Sequence, residues 1–224
     1  MSSKSKLLIW EMVCIVWIVL AGSLLHFAFE LSEYWKPMAL IAAVNESVWE
    51  HIKMYFWPGL FFALAQYTYS RGYHHNYWIG KAAAMAVTPL VIIISYESYM
   101  AWSLSTGIKP SLAIMLSIML IGISAGQLTS YKILSAEPFA TPRPKLAPAL
   151  MATLILMFST FTFFPPKVFL FENFACYTYT GEYGILEDYE PYRIFTREGE
   201  EGIGVNYCAN IKSMNLAKAL KDSL

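Results

Sequence analysis

His26–Lys53, HFAFELSEYWKPMALIAAVNESVWEHIK, is the stretch whose reading decides the fold. It lies between two strongly apolar segments, yet it carries two histidines, four glutamates and an asparagine. Ionisable groups at membrane depth are costly, so a functional role with a nameable partner is their default reading. His26 and Glu30 are four residues apart, as are Glu46 and Glu50, so on a helix each pair shares one face. The apolar segments on either side then read as a scaffold holding this cluster at one membrane surface.

Outward from that stretch, the 224-residue chain is 57% hydrophobic and 14% charged. Soluble domains are about 45–50% apolar and about 25% charged, and several runs here approach the roughly 18 residues that cross a bilayer. The expected class is an all-α integral membrane protein: about five transmembrane helices plus an interfacial or re-entrant helix, with a small extramembranous C-terminal module. The expected division is a helical membrane domain over 1–164 and an extramembranous tail over 165–224. Zero net charge gives no basis for nucleic-acid binding, so the lipid bilayer is the partner the composition implies.

Leu7–Phe29 reads as the first span. A cleaved signal peptide is the competing reading, disfavoured because the apolar run exceeds the usual core of about 7–15 residues. Leu31–Pro37 breaks the helix, and Met38–Met54 resumes a helical pattern too polar to cross lipid alone. It is expected at the interface or folded back into the protein, with Trp35, Trp49, Tyr55 and Trp57 as interfacial rings. Tyr55–Ser70 follows as a second span with Pro58 in its first turn. Tyr77–Leu104, kinked at Pro89, Ser111–Leu134 and Ala149–Phe164 complete the set. Gln127, Ser130 and Tyr131 are placed to bond a neighbouring helix. The tail, rich in charge and glycine, predicts turns and short strands, with a short helix over Asn215–Leu224.

Basic residues set the orientation. With the N-terminus inside, inner segments hold Lys4, Lys6, Arg71, Lys81, Lys132, Arg143 and Lys145, against Lys36, Lys53, Lys109 and Lys167 outside. The expected placement is a multi-pass protein of the cell membrane, N-terminus cytoplasmic and C-terminus extracytoplasmic. Cys176 and Cys208 then share an oxidising compartment and are expected to bridge, with two free thiols in a cytosolic tail as the alternative. Such a loop of about thirty residues is worth roughly 3 kcal/mol on the chain-entropy view. Cys14, in the first span, reads as a small apolar residue.

On this topology His26, Glu30, Glu46, Glu50 and His51 gather at the outer surface, with Glu97 about 10 Å deep in the third span. Imidazole and carboxylate suit zinc, iron or manganese. The common zincin and di-iron spacings are absent. Glu50 and His51 are adjacent and point about 100° apart on a helix, so His26, Glu30, Glu46 and Glu50 form the better quartet unless the helix is distorted, when His51 joins. Blander readings stand beside this. Ser47-x-x-Glu50 is also a capping box, Glu46 and Glu50 can pair with Lys53, and His26 and Glu30 can simply mark the membrane boundary.

The run Ala43-Val44-Asn45-Glu46-Ser47-Val48-Trp49-Glu50-His51-Ile52-Lys53, followed by Pro58, resembles the signature of an uncharacterised family of prokaryotic multi-pass membrane proteins, domain of unknown function 6512. His26-Phe27 and Glu30 upstream fit its pattern. Phe164-Pro165-Pro166-Lys167, Leu170-Phe171 and Thr180-Gly181-Glu182-Tyr183-Gly184-Ile185 resemble its ending. The likeness runs from Leu7 to Ile185. The chain departs from it in a longer Phe171–Thr180 segment containing Cys176, and in the tail beyond Ile185. The resemblance implies membrane placement and weight on Glu46, Glu50 and His51; it implies no reaction.

The leading functional expectation is a metal site for hydrolytic chemistry, with the ion activating water and Glu50 or Glu97 moving the proton. The other is a non-catalytic membrane subunit or small carrier, in an oligomer or with its tail docked on an extracytoplasmic protein.

Overall fold

The computed structural model describes residues 2–70, 72, 74–139, 143–195 and 208. Its helices are α1 (Ser3–Leu31), α2 (Val48–Ser70), α3 (Tyr77–Thr106), α4 (Leu112–Leu134) and α5 (Arg143–Thr160). Glu11, Gln66 and Lys81 meet at one end of the bundle, and His26, Glu46 and His51 at the other, so successive helices run up and down. α1, α3 and α4 are long and apolar enough to cross a membrane; the apolar part of α5, Leu146–Thr160, is shorter.

α3 and α4 approach closely because α4 presents Gly122 and Gly126, one turn apart, to its neighbour. A Cβ on Gly122 would collide with Ile92, and one on Gly126 would collide with Thr88 and stand 2.8 Å from the Ala84 carbonyl. Small residues at this spacing let helix backbones pack without side chains between them. Gly22 does the same for α1 against α2, where an added Cβ would lie 2.5 Å from Tyr55 Cδ1.

Several expectations are corrected. Met38–Met54 is helical only in part: Lys36–Leu40 is a 3-10 turn, the backbone then runs irregularly, and the α-helix begins at Val48. Nor is Tyr55–Ser70 a separate span, because α2 runs unbroken from Val48 through Pro58. The helix begins early because Ser47 Oγ accepts the Glu50 N–H, 3.3 Å away, while Glu50 and Lys53 are locked into the core. Pro58 therefore sits mid-helix, where its carbonyl accepts from Trp17 Nε1 at 3.1 Å. Trp49 and Tyr55 are not interfacial rings; both are buried, and Trp49 stacks on Phe158 and Phe171 with ring centroids 4.6 and 4.7 Å away. Gln127 and Ser130 are buried, but Gln127 Oε1 and Ser130 Oγ have no hydrogen-bond partner among the described residues.

Beyond α5 the chain forms a cap over the site end of the bundle. β1 (Glu172–Ala175) and β2 (Thr178–Tyr183) pair antiparallel across the two-residue turn Cys176-Tyr177, both at positive φ, 51° and 66°. Two consecutive positive φ values match the twist of a tight hairpin. The short-strand expectation for this part of the tail holds. Cys176 and Cys208 are bridged, with Cα atoms 5.5 Å apart. The helix expected over Asn215–Leu224 lies outside the described residues. Phe171 joins the bundle core, and Tyr189 stacks on Tyr34 at 4.5 Å.

Candidate metal centre

The loop between Leu40 and Val48 carries the site. Its residues Ala42–Asn45 and Ser47 are buried, so each polar backbone group needs a partner. Ala43 N–H donates to the Leu25 carbonyl at 3.3 Å, and Val44 N–H to Glu50 Oε2 at 3.1 Å. Glu46 N–H donates to Asn173 Oδ1 on β1 at 3.0 Å, and Ser47 N–H to Asn45 Oδ1 at 2.9 Å. Asn45 Nδ2 in turn donates to the Gly184 carbonyl at 2.7 Å. Asn173 is steadied by Glu182, which accepts from its Nδ2 at 3.0 Å and from the Tyr192 hydroxyl at 2.6 Å. The cap thereby fixes the backbone of Glu46.

Held there, Glu46 sits between two imidazoles. Its Oε1 is 3.7 Å from His26 Nε2 and its Oε2 3.4 Å from His51 Nε2. The two rings are 5.1 Å apart. One ligand atom from each of the three residues lies within 4.8 Å of the others. A tetrahedral ion about 2.0–2.1 Å from each ligand separates them by about 3.4 Å. Closing the widest separation, at most 4.8 Å, to that value takes up to about 1.4 Å, within side-chain reach. His51 Nδ1 lies 2.8 Å from the Ser47 carbonyl, which only accepts, so Nδ1 carries the proton. Nε2 is thus the nitrogen turned to Glu46; it carries a proton when His51 is charged and, once that proton is displaced, is the one free to ligate metal. Burial pushes the Glu46 carboxyl up, but its interaction with His51 and the charges of His51 and His26 outweigh this and hold it below its ordinary 4.5.

The other expected residues stand elsewhere. Glu30 Oε1 accepts from the backbone of Ile194 at 2.9 Å and Phe195 at 2.6 Å, anchoring the cap. Glu50 is buried; its Oε2 meets Lys53 Nζ at 2.5 Å, and its Oε1 accepts from Thr162 at 2.7 Å. It does not close a capping box, since its oxygens reach Val44 and not Ser47. Glu97 is half-buried, and its Oε1 has no hydrogen-bond partner among the described residues. It lies near Tyr179 of the hairpin, whose phenol is pushed up by burial and then by the Glu97 and Glu172 charges. Asn173, Glu182 and Thr162 are positioning residues that reading the sequence missed. Asn173 falls within the Phe171–Thr180 segment, which reads in the sequence as longer than the family pattern, and Thr162 carries no local signal.

A cavity of about 510 Å³ opens from the cluster, with His26, Glu46 and His51 at one side of its lining. A family model described as a family of unknown function, DUF6512, matches residues 1–185. The chain belongs to that family. Its matched region includes all three clustered residues and the hairpin, while Tyr189, Tyr192 and Ile194 fall beyond it. No curated protein and no solved structure matches this DUF6512 member.

Proposed function

We propose that this protein is an integral membrane protein whose His26, Glu46 and His51 hold one divalent ion, zinc, iron or manganese, for hydrolytic chemistry at the cap end of the bundle. The observation that carries this reading is the convergence of three ligand atoms within 4.8 Å, with His51 Nδ1 held at the Ser47 carbonyl so that Nε2 turns to the cluster. Three protein ligands leave a tetrahedral position open, as in catalytic and not structural zinc sites. An ion bound there supplies Lewis acidity and lowers the pKa of its water. Asn173 holds the Glu46 backbone, and Glu50, with both oxygens engaged, braces the loop.

Metal analysis of purified protein tests this. Wild type loaded with zinc at neutral pH should retain one equivalent, and Glu46→Gln should bind at least about tenfold more weakly, since even outer partners of ligands are worth about 10–100-fold. Affinity should fall as pH drops, because protons compete with the ion for the imidazole nitrogens. Glu46 adds a second dependence. Its folded pKa is below its unfolded value, so its stabilisation is full above the unfolded value and is lost as pH falls through the folded one. Wild type that washes free of zinc, iron and manganese alike at neutral pH rejects the metal centre.

The N-inside, cap-outside orientation is part of the same proposal. The basic-residue bias supports it, and so does the Cys176–Cys208 bridge, since disulfides persist in oxidising compartments. A topology reporter fused after Leu224 should report the extracytoplasmic side; a cytoplasmic signal reverses the assignment.

A further inference from the structure

The cavity beside the metal cluster has two unlike ends. At one, His26, Glu46 and His51 are the ionisable groups, with Ser23 nearby; the rest is mainly apolar or aromatic, including Val48, Met54, Met115, Met119 and Phe174. At about 510 Å³ it lies within the roughly 300–1,000 Å³ range of ligand sites. Its α4 edge is formed by Leu112 and Leu116, which are 63% and 58% exposed. The edge of the cavity is thus continuous with the outer apolar face of a helix long enough to cross a membrane. On the membrane reading proposed above, that edge faces lipid, so an apolar ligand would reach the cavity without crossing water.

We infer that the cavity binds a long-chain amphiphile with an anionic phosphate or carboxylate head, the chain among the methionines and the head at the cluster. This rests on the metal reading above. A divalent ion with one glutamate and two neutral histidines leaves a net positive charge, which favours an anionic head. Methionine side chains adapt to chains of varied shape, which suits a hydrocarbon occupant. With a phosphate head, the same end of the cavity would place the phosphoester bond beside the open metal position; a carboxylate head has no such bond and would bind as a ligand only.

Native mass spectrometry of the full chain tests this. Zinc-loaded protein is offered hexadecyl phosphate, palmitate or hexadecanol at equal concentration. A single adduct with hexadecyl phosphate, palmitate or both, at about tenfold lower concentration than hexadecanol needs, is the expected result; the preferred head tells a phospholipid from a fatty acid. Met119→Trp, which fills the cavity, and Leu116→Trp, at its exposed edge where folding is not at risk, should each abolish the adduct while zinc stays bound. Adducts surviving both variants overturn the pocket, and equal uptake of hexadecanol overturns the anionic head. Wild type that holds none of zinc, iron or manganese overturns the metal centre instead, and the tryptophan variants still read out the chain site.

Discussion

Lys53→Met should cost the protein about 3–5 kcal/mol, the usual penalty for removing one partner of a buried ion pair. Lys53 is 0% exposed and Glu50 2%, so neither charge can turn to water. All three ammonium protons are engaged: with Glu50 at 2.5 Å, the Ala39 carbonyl at 2.7 Å and Thr162 Oγ1 at 2.7 Å. These bonds join the 3-10 turn, the start of α2 and the chain just after α5. A domain stable by about 5–15 kcal/mol would lose a large part of its margin. Thermal unfolding in detergent should show a much lower midpoint, and a shift worth under about 1 kcal/mol would reject the network as a brace. Glu50→Gln should destabilise similarly yet leave zinc on the folded fraction; loss of zinc from folded protein would instead make Glu50 a ligand. The double variant Glu50→Gln with Lys53→Met should recover only part of the loss, because the Ala39 carbonyl keeps no donor.

Lys81→Met should have an effect of similar size at the opposite end of the bundle. Lys81 Nζ meets Glu11 at 2.7 and 2.8 Å, and Gln66 Nε2 donates to the same carboxylate at 3.0 Å. The group ties α1, α2 and α3 together, and all three side chains are buried. Removing the lysine leaves Glu11 charged against one amide, again at a cost of about 3–5 kcal/mol. Here the double variant Glu11→Leu with Lys81→Met should recover most of the loss, since apolar replacement of a whole buried pair is often neutral or better, but not all of it, because the buried Gln66 Nε2 loses its acceptor. A double variant as unstable as the single one would show that this pair does more than hold helices together. Zinc content should not respond to either change.

Much of this protein was legible in its sequence. Apolar runs longer than a bilayer needs, a polar stretch set among them, and a tail of short strands with two bridging cysteines are local properties of composition and spacing. The family signature is local too. Partner choice within the polar stretch was not legible. Sharing a helix face would pair Glu46 with Glu50, but the helix starts at Val48, so Glu46 stands outside it and turns to His26 and His51. Glu50 is claimed by Lys53 one turn on and by Thr162, 112 residues away. The Glu46 backbone is fixed by Asn173, 127 residues away. Among six ionisable groups of similar chemistry, burial and long-range hydrogen bonds select the partners, and those arise only once the cap and α5 have packed on the loop.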